Sequence, residues 1–221
     1  MLSFRRSLAP LAALPMLAGV TACDVSTTPP PPIAAVRVVN ATNAAVDVYI
    51  DNTYAIPALG AGVVSPGVIL QAGIHQVQFT RPRQGTVLAS TSVPMDRNAL
   101  RTAVAFPGSG LEMLATTLSD TGAIVPEGKT KLRVSNFSQQ AIRIYRRQPD
   151  FPDSVAIMTP FNYGATSPYL QSFPGTWEVL VVDAAGHRLT TTGAIAVGPS
   201  EKRTVIVLDS AGVVRTKVLD E

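Results

Sequence analysis

The chain has 221 residues, of which 15% are charged, 46% apolar and 6% aromatic, with one cysteine and two histidines. One cysteine excludes an internal disulfide framework and a thiolate zinc cluster, and two histidines exclude a three-histidine metal site. Charge is low against the ~25% usual in soluble domains and no apolar run reaches the ~20 residues of a membrane helix; 16 glycines and 18 prolines amid abundant Val, Thr and Ala speak against a helical bundle.

In chain order, residues 1–22 read as an export signal. Arg5 and Arg6 form a basic head, and Ser7 to Ala22 is an apolar run broken by Pro10 and Pro15, short for a stable span. The run ends Val20-Thr21-Ala22-Cys23. This resembles the bacterial lipobox, in which an aliphatic residue and two small residues precede an obligatory cysteine. The resemblance implies that Cys23 receives a thioether-linked diacylglycerol and becomes the acylated first residue of a membrane-anchored lipoprotein in the cell envelope, on the periplasmic side or at the cell surface. Each buried acyl CH₂ contributes about 0.8 kcal/mol, so two or three chains hold a soluble domain firmly. The alternatives are plain secretion with a coincidental cysteine and a cytoplasmic chain with an apolar start. Asp24, an inner-membrane retention signal in enterobacterial lipoproteins, leaves inner and outer membrane both open. Removal of Arg5 and Arg6 reduces the formal charge from +3 to +1, which argues against nucleic acid as a partner. Residues 23–32, the cysteine and the Asp-Val-Ser-Thr-Thr-Pro-Pro-Pro-Pro run after it, form a linker with a preference for extended polyproline II.

The rest of the chain is written twice. Val36-Arg37-Val38-Val39-Asn40 matches Leu132-Arg133-Val134-Ser135-Asn136, and Ala45-Val46-Asp47-Val48-Tyr49 matches Ala141-Ile142-Arg143-Ile144-Tyr145, both at an offset of 96. The Gly73 and Arg101 segments match those of Gly175 and Arg203 at an offset of 102, so the second copy is six residues longer. We read unit 1 over 33–122, a linker over 123–127 and unit 2 over 128–221. The period inside each unit is two: His75, Val77 and Phe79 fall on one face, Gln76, Gln78 and Thr80 on the other. Short alternating strands punctuated by Gly, Pro, Asn and Asp predict an all-β fold of two tandem immunoglobulin-like antiparallel β-sandwiches, about seven strands each. Asn40 and Asn136 suit turns; the sequons they begin, Asn40-Ala41-Thr42 and Asn136-Phe137-Ser138, are not expected to be glycosylated. Gly73 and Gly175 stand where a turn needs positive φ.

The Arg37-Val38-Val39-Asn40-Ala41 opening, the Val46-Asp47-Val48-Tyr49 segment and Gly73 at the start of a strand resemble the domain-of-unknown-function 4397 family of exported bacterial proteins. The resemblance covers nearly all of 33–221 as two tandem copies. Thr42-Asn43-Ala44 lacks the family's prolines, and Arg143 stands where the motif has Asp. No activity is implied.

Candidates for chemistry are few. His75 lies mid-strand opposite Trp177 in the repeat, which suggests space filling; His187 lies in a turn; no Gly-x-Ser-x-Gly elbow accompanies either. Asp150 with Asp153 and Asp47 with Asp51 read as surface carboxylates, and no catalytic residue, metal site or cofactor is expected. Seven aromatics crowd between Tyr145 and Trp177. Tyr145, Phe173 and Trp177 are expected in the core or between the units. Phe151, Phe161, Tyr163 and Tyr169 are the candidate exposed ligand face, since rings on a β surface stack on sugars or proline-rich peptides. The sequence thus points to a non-enzymatic, lipid-anchored cell-envelope protein acting as a structural or interaction module, with the membrane and an envelope protein or glycan as partners; the alternative is a carbohydrate-binding accessory lipoprotein using the aromatics of unit 2.

Overall fold

The computed structural model describes residues 32–119, 124–149, 154–210 and 212–221. The signal, Cys23, the linker up to Pro31, the junction at 120–123 and the Asp150–Asp153 segment with Phe151 lie outside the described residues. The first half runs β1 (Ile33–Asn40), β2 (Val46–Ile50), β3 (Thr53–Leu59), β4 (Val68–Gln71), β5 (Gly73–Thr80), β6 (Val87–Met95), β7 (Leu100–Pro107) and β8 (Met113–Ser119). The second runs β9 (Thr130–Phe137), β10 (Ile142–Arg147), β11 (Val155–Phe161), β12 (Leu170–Ser172), β13 (Gly175–Val182), β14 (Arg188–Thr191), β15 (Ile195–Val197), β16 (Lys202–Ser210) and β17 (Val213–Asp220).

The expected all-β sandwich architecture is present, with eight strands in the first half and nine in the second among the described residues, rather than about seven. The sheets are β4-β1-β7-β8 and β3-β2-β5-β6 in the first half, β12-β9-β16-β17 and β11-β10-β13-β14 in the second, where β15 also pairs with β13. The strand order recurs, with β6 broken into β14 and β15 at Gly193 (φ +69°). Pairing is antiparallel except β1 with β7 and β9 with β16, which are parallel.

Alternation along the strands sets the layers. Val36, Val38, Ala103 and Ala105 point inward against Val46, Val48, Val77 and Phe79 of the other sheet. The opposite face of the same β1-β7 sheet is also buried. Val39, Val104, Phe106 and Leu118 meet Phe137, Ile206, Leu208 and Leu219 of the second half in a separate core. Phe106 lies 4.8 Å from Phe137, centroid to centroid, and takes Tyr163 edge-on at 5.8 Å. The two halves thus pack back to back through the β1-β7-β8 and β9-β16-β17 sheets. Strands buried on both faces need apolar residues at every position. That is why Val104-Ala105-Phe106 and Val205-Ile206-Val207-Leu208 read as unbroken apolar runs.

Candidate functional site

Among the described residues, the candidate rings Phe161, Tyr163 and Tyr169 of the second half do not form the exposed face their composition suggests. Phe161 is fully buried; it occupies the place of core residue Leu59 in the first half and packs with Ile142 and Ile144. Tyr163 packs into the core between the halves, and burial, with Asp209 and Glu112 nearby, pushes its phenol up to about 12. Tyr169 is half-buried, its hydroxyl donating to Glu221 and its ring lying under the Arg133 guanidinium at 4.5 Å. Burial, then the Glu221 carboxylate, raises its pKa well above the usual phenol. These three are therefore not a stacking platform, because ring area already in contact with protein is not available to a ligand. Of the rings expected inside, Trp177 is half-buried and packs against the core of Ile142, Val179 and Ile195, with Arg146 over its ring at 4.5 Å. Phe173 instead is 66% exposed with Lys129 Nζ 3.4 Å from its centroid. Tyr145 lines an open hollow of ≈ 300 Å³ with Arg143, Pro160 and Ala184.

What the repeat does bring together is a buried charged cluster between the halves. β1 places Arg37, and β9 places Arg133, on the face turned toward the other half. Arg37 Nε donates to Thr102 Oγ1 and Arg133 Nε to Thr204 Oγ1, each at 2.7 Å. The remaining donors cross over. Arg37 Nη1 reaches the carbonyl of Asp220 at 2.6 Å, and Arg133 Nη1 that of Ser119 at 2.7 Å. Ser119 and Asp220 end β8 and β17, so the exchange is reciprocal. Between the two guanidinium groups sits the Glu221 carboxylate, its side chain wholly shielded, 3.2 Å from Arg133 and 3.9 Å from Arg37. Thr204 and Tyr169 donate their hydroxyls to it. Nothing in the sequence pattern marks Glu221, which belongs to no repeat match.

The paired asparagines fasten loops. Asn40 Nδ2 donates to the carbonyls of Ala44 and Leu59, both at 2.8 Å, and its Oδ1 accepts from Thr42 N and Thr42 Oγ1. Asn136 repeats this with Gln140, Phe161 and Ser138. Both side-chain amides are buried and engaged, so the sequons are loop locks. Asp47 accepts from Ala58 N at 2.7 Å and Arg83 N at 2.9 Å, and these two backbone bonds hold its carboxyl below the usual range. Asp51 takes Gln76 N at 2.8 Å and His75 Nδ1 at 2.6 Å. His75 Nε2 lies 2.8 Å from the Gln71 carbonyl, as Trp177 Nε1 lies 3.0 Å from that of Phe173. The ring nitrogens of His75 thus face two acceptors, and the bond to Asp51 is the main cause of its raised pKa. Trp177 does fill the place of His75, as the repeat suggests, and it also reproduces a hydrogen bond. Gly73 and Gly175 carry φ +156° and +150°, conformations open to glycine. Among the described residues no group of three His, Cys, Asp or Glu is placed to hold a metal.

The profile of a domain of unknown function, DUF4397, matches residues 34–147. The chain belongs to the DUF4397 family. The match spans the first half and ends with β10 of the second. In this DUF4397 chain the motif residues are therefore framework: Arg37 joins the halves, Asn40 locks a loop, Asp47 holds two backbone amides, and Tyr49 packs on Tyr54 at 5.1 Å. No curated protein matches the chain. Among solved structures, it is similar to a family CBM26 module from Eubacterium rectale Amy13K, solved in complex with maltoheptaose, at 12% identity and TM-score 0.27, over 86% of this chain and 97% of that one. It is also similar to the tip fimbrial protein Mfa3 from Porphyromonas gingivalis, at 10% identity and TM-score 0.28, over 87% of this chain and 100% of that one. Neither superposes closely enough to inform the site.

Proposed function

We propose that this DUF4397 chain is a non-enzymatic, lipid-anchored envelope protein, acylated at Cys23, whose two tandem immunoglobulin-like units form one structural or interaction body. The observation that carries the reading is the use made of its buried charges. Arg37, Arg133, Glu221 and Asp47 each fasten one stretch of backbone or one half to another. Groups so engaged support shape; catalysis calls for titratable groups converging on a space that a substrate can enter. The carbohydrate-binding alternative loses Phe161, Tyr163 and Tyr169 and retains Tyr145 beside its hollow. Metabolic labelling with a palmitate analogue tests the anchor: the native chain takes up label and Cys23→Ser takes up none, whereas equal labelling overturns the reading. A glycan array probed with the native chain is expected to stay blank, and binding abolished by Tyr145→Ala would instead favour the carbohydrate role.

A further inference from the structure

We infer that the end of the body from which the linker emerges is a docking surface for an anionic phospholipid bilayer, an inference that rests on the anchoring reading above. Arg37 and Arg133 both reach Glu221, so the middles of β1 and β9 are level. Phe106 and Phe137 bring the far ends of the two central sheets together. The first residues of β1 and β9 therefore share the opposite end, and the chain leaves it at Ile33.

The two halves present different chemistry there. In the first half Ile33 (54% exposed), Ile69 (70%) and Ile74 (76%) stand in water. Ile33 and Ile69 line, with Ala35 and Leu100, an apolar hollow of ≈ 370 Å³. Backbone bonds tie these residues to the exit: Ala72 N donates to the Pro32 carbonyl, and Asn98 N to that of Ile33. In the second half the positions equivalent to Ile33, Ala35 and Leu100 are Lys129, Lys131 and Lys202. Phe173 and Trp177 lie beside them, Phe173 under Lys129. The acids Asp96, Glu201 and Asp220 of this end are engaged by Arg101 and Arg203; Asp51 with His75 beside Ile74, Glu178 with Arg147, and Arg146 over Trp177 lie at this end too, along with Glu127 and Arg97. Leu111 and Val213, also exposed, stand at hairpin tips of the opposite end.

Exposed aliphatic residues, interfacial aromatics and lysines on one rim match the layers of a bilayer surface. Rings sit at the headgroup level, and lysines pair with anionic lipid at about 1 kcal/mol each. The occupant is a bilayer rather than another protein because of where the chain goes next. From Cys23 to Ile33 there are nine intervening residues, about 28 Å when extended as polyproline II. A leash of that reach makes docking intramolecular, so a weak surface suffices. The linker then sets the greatest distance of the body from the membrane, not a fixed stand-off.

The test uses the single tryptophan, Trp177. The acylated full-length chain is reconstituted into phosphatidylcholine vesicles with and without phosphatidylglycerol, both containing brominated acyl chains. Quenching of Trp177 is expected, stronger with phosphatidylglycerol, and at least halved by the triple variant Ile33→Asp, Ile69→Asp, Ile74→Asp. These positions are exposed, so folding is kept; Lys129→Glu with Lys131→Glu, a second variant, is expected to remove only the phosphatidylglycerol dependence. Unquenched Trp177 in a chain whose intact mass shows acylation overturns the docking surface alone. Equal quenching in the triple variant, or a shift from dimer to monomer in sedimentation that makes the occupant a second copy, overturns it too. An intact mass without acyl chains overturns the anchoring reading and this inference with it.

Discussion

Asn40 satisfies two carbonyls, one backbone amide and one hydroxyl from a fully buried position, and Asn136 does the same. Removing the amide leaves buried carbonyls unpaired, each at about 1–3 kcal/mol. Asn40→Ala is expected to lower unfolding free energy by about 3 kcal/mol in urea titration, and Asn136→Ala by a similar amount; a change below one third of that would contradict the loop-lock role. His75 makes a prediction of the opposite kind, about pH. Its folded pKa is raised, so its contribution is fully present below the unfolded value near 6.5 and is lost as pH rises through the folded value. Asp51 bounds the same contact from below: its pKa is lowered, and its contribution is lost as pH falls through the folded value. Denaturation of His75→Gln should therefore vary less than the native chain between pH 6 and 8. The asparagines were legible in the sequence because both halves carry them at one offset. The second acceptor on His75 was not, since Trp177 advertises bulk and hides the shared N–H.

At the scale of the element, the halves differ where one carboxylate does two jobs. Asp47 ties the end of β3, at Ala58 with φ +42°, and the turn after β5, at Arg83 with φ +63°. Its counterpart Arg143 is exposed and holds neither. Asp47→Ala should speed amide exchange at Ala58 and Arg83 by about tenfold, the worth of one lost hydrogen bond. Arg143→Ala should leave exchange in β11 unchanged, and equal effects would contradict the assignment. Strands of the outer sheets were legible from their period of two. The doubly buried β7 and β16 were legible as strands but not as an interface, because a continuous apolar run looks the same whatever covers its second face. The misplaced aromatic face has a similar origin. Composition drew the eye to the cluster, whereas the repeat itself sets Phe161 on Leu59, a core position.

For the whole molecule, the interface makes one body out of two halves. Phe106, Phe137, Ile206 and Leu208 provide its apolar part, and the Arg37, Arg133 and Glu221 cluster its register. Removing one member of a buried ion pair strands the others, at about 3–5 kcal/mol. Native calorimetry should show one cooperative transition, and Glu221→Ala should lower its midpoint and separate it into two; an unchanged single transition would contradict the coupling. The matching segments of the two halves were visible in the sequence, but the clasp was not. Glu221 acts through three-dimensional proximity to Arg133, 88 positions away. The central claim is that this body is held to a membrane through Cys23. Intact-mass analysis of the chain extracted from membranes with detergent tests it most directly. The predicted result is a polypeptide beginning at Cys23 and carrying the mass of a diacylglycerol thioether; a chain with an unmodified Cys23, or one beginning at any other residue, contradicts it.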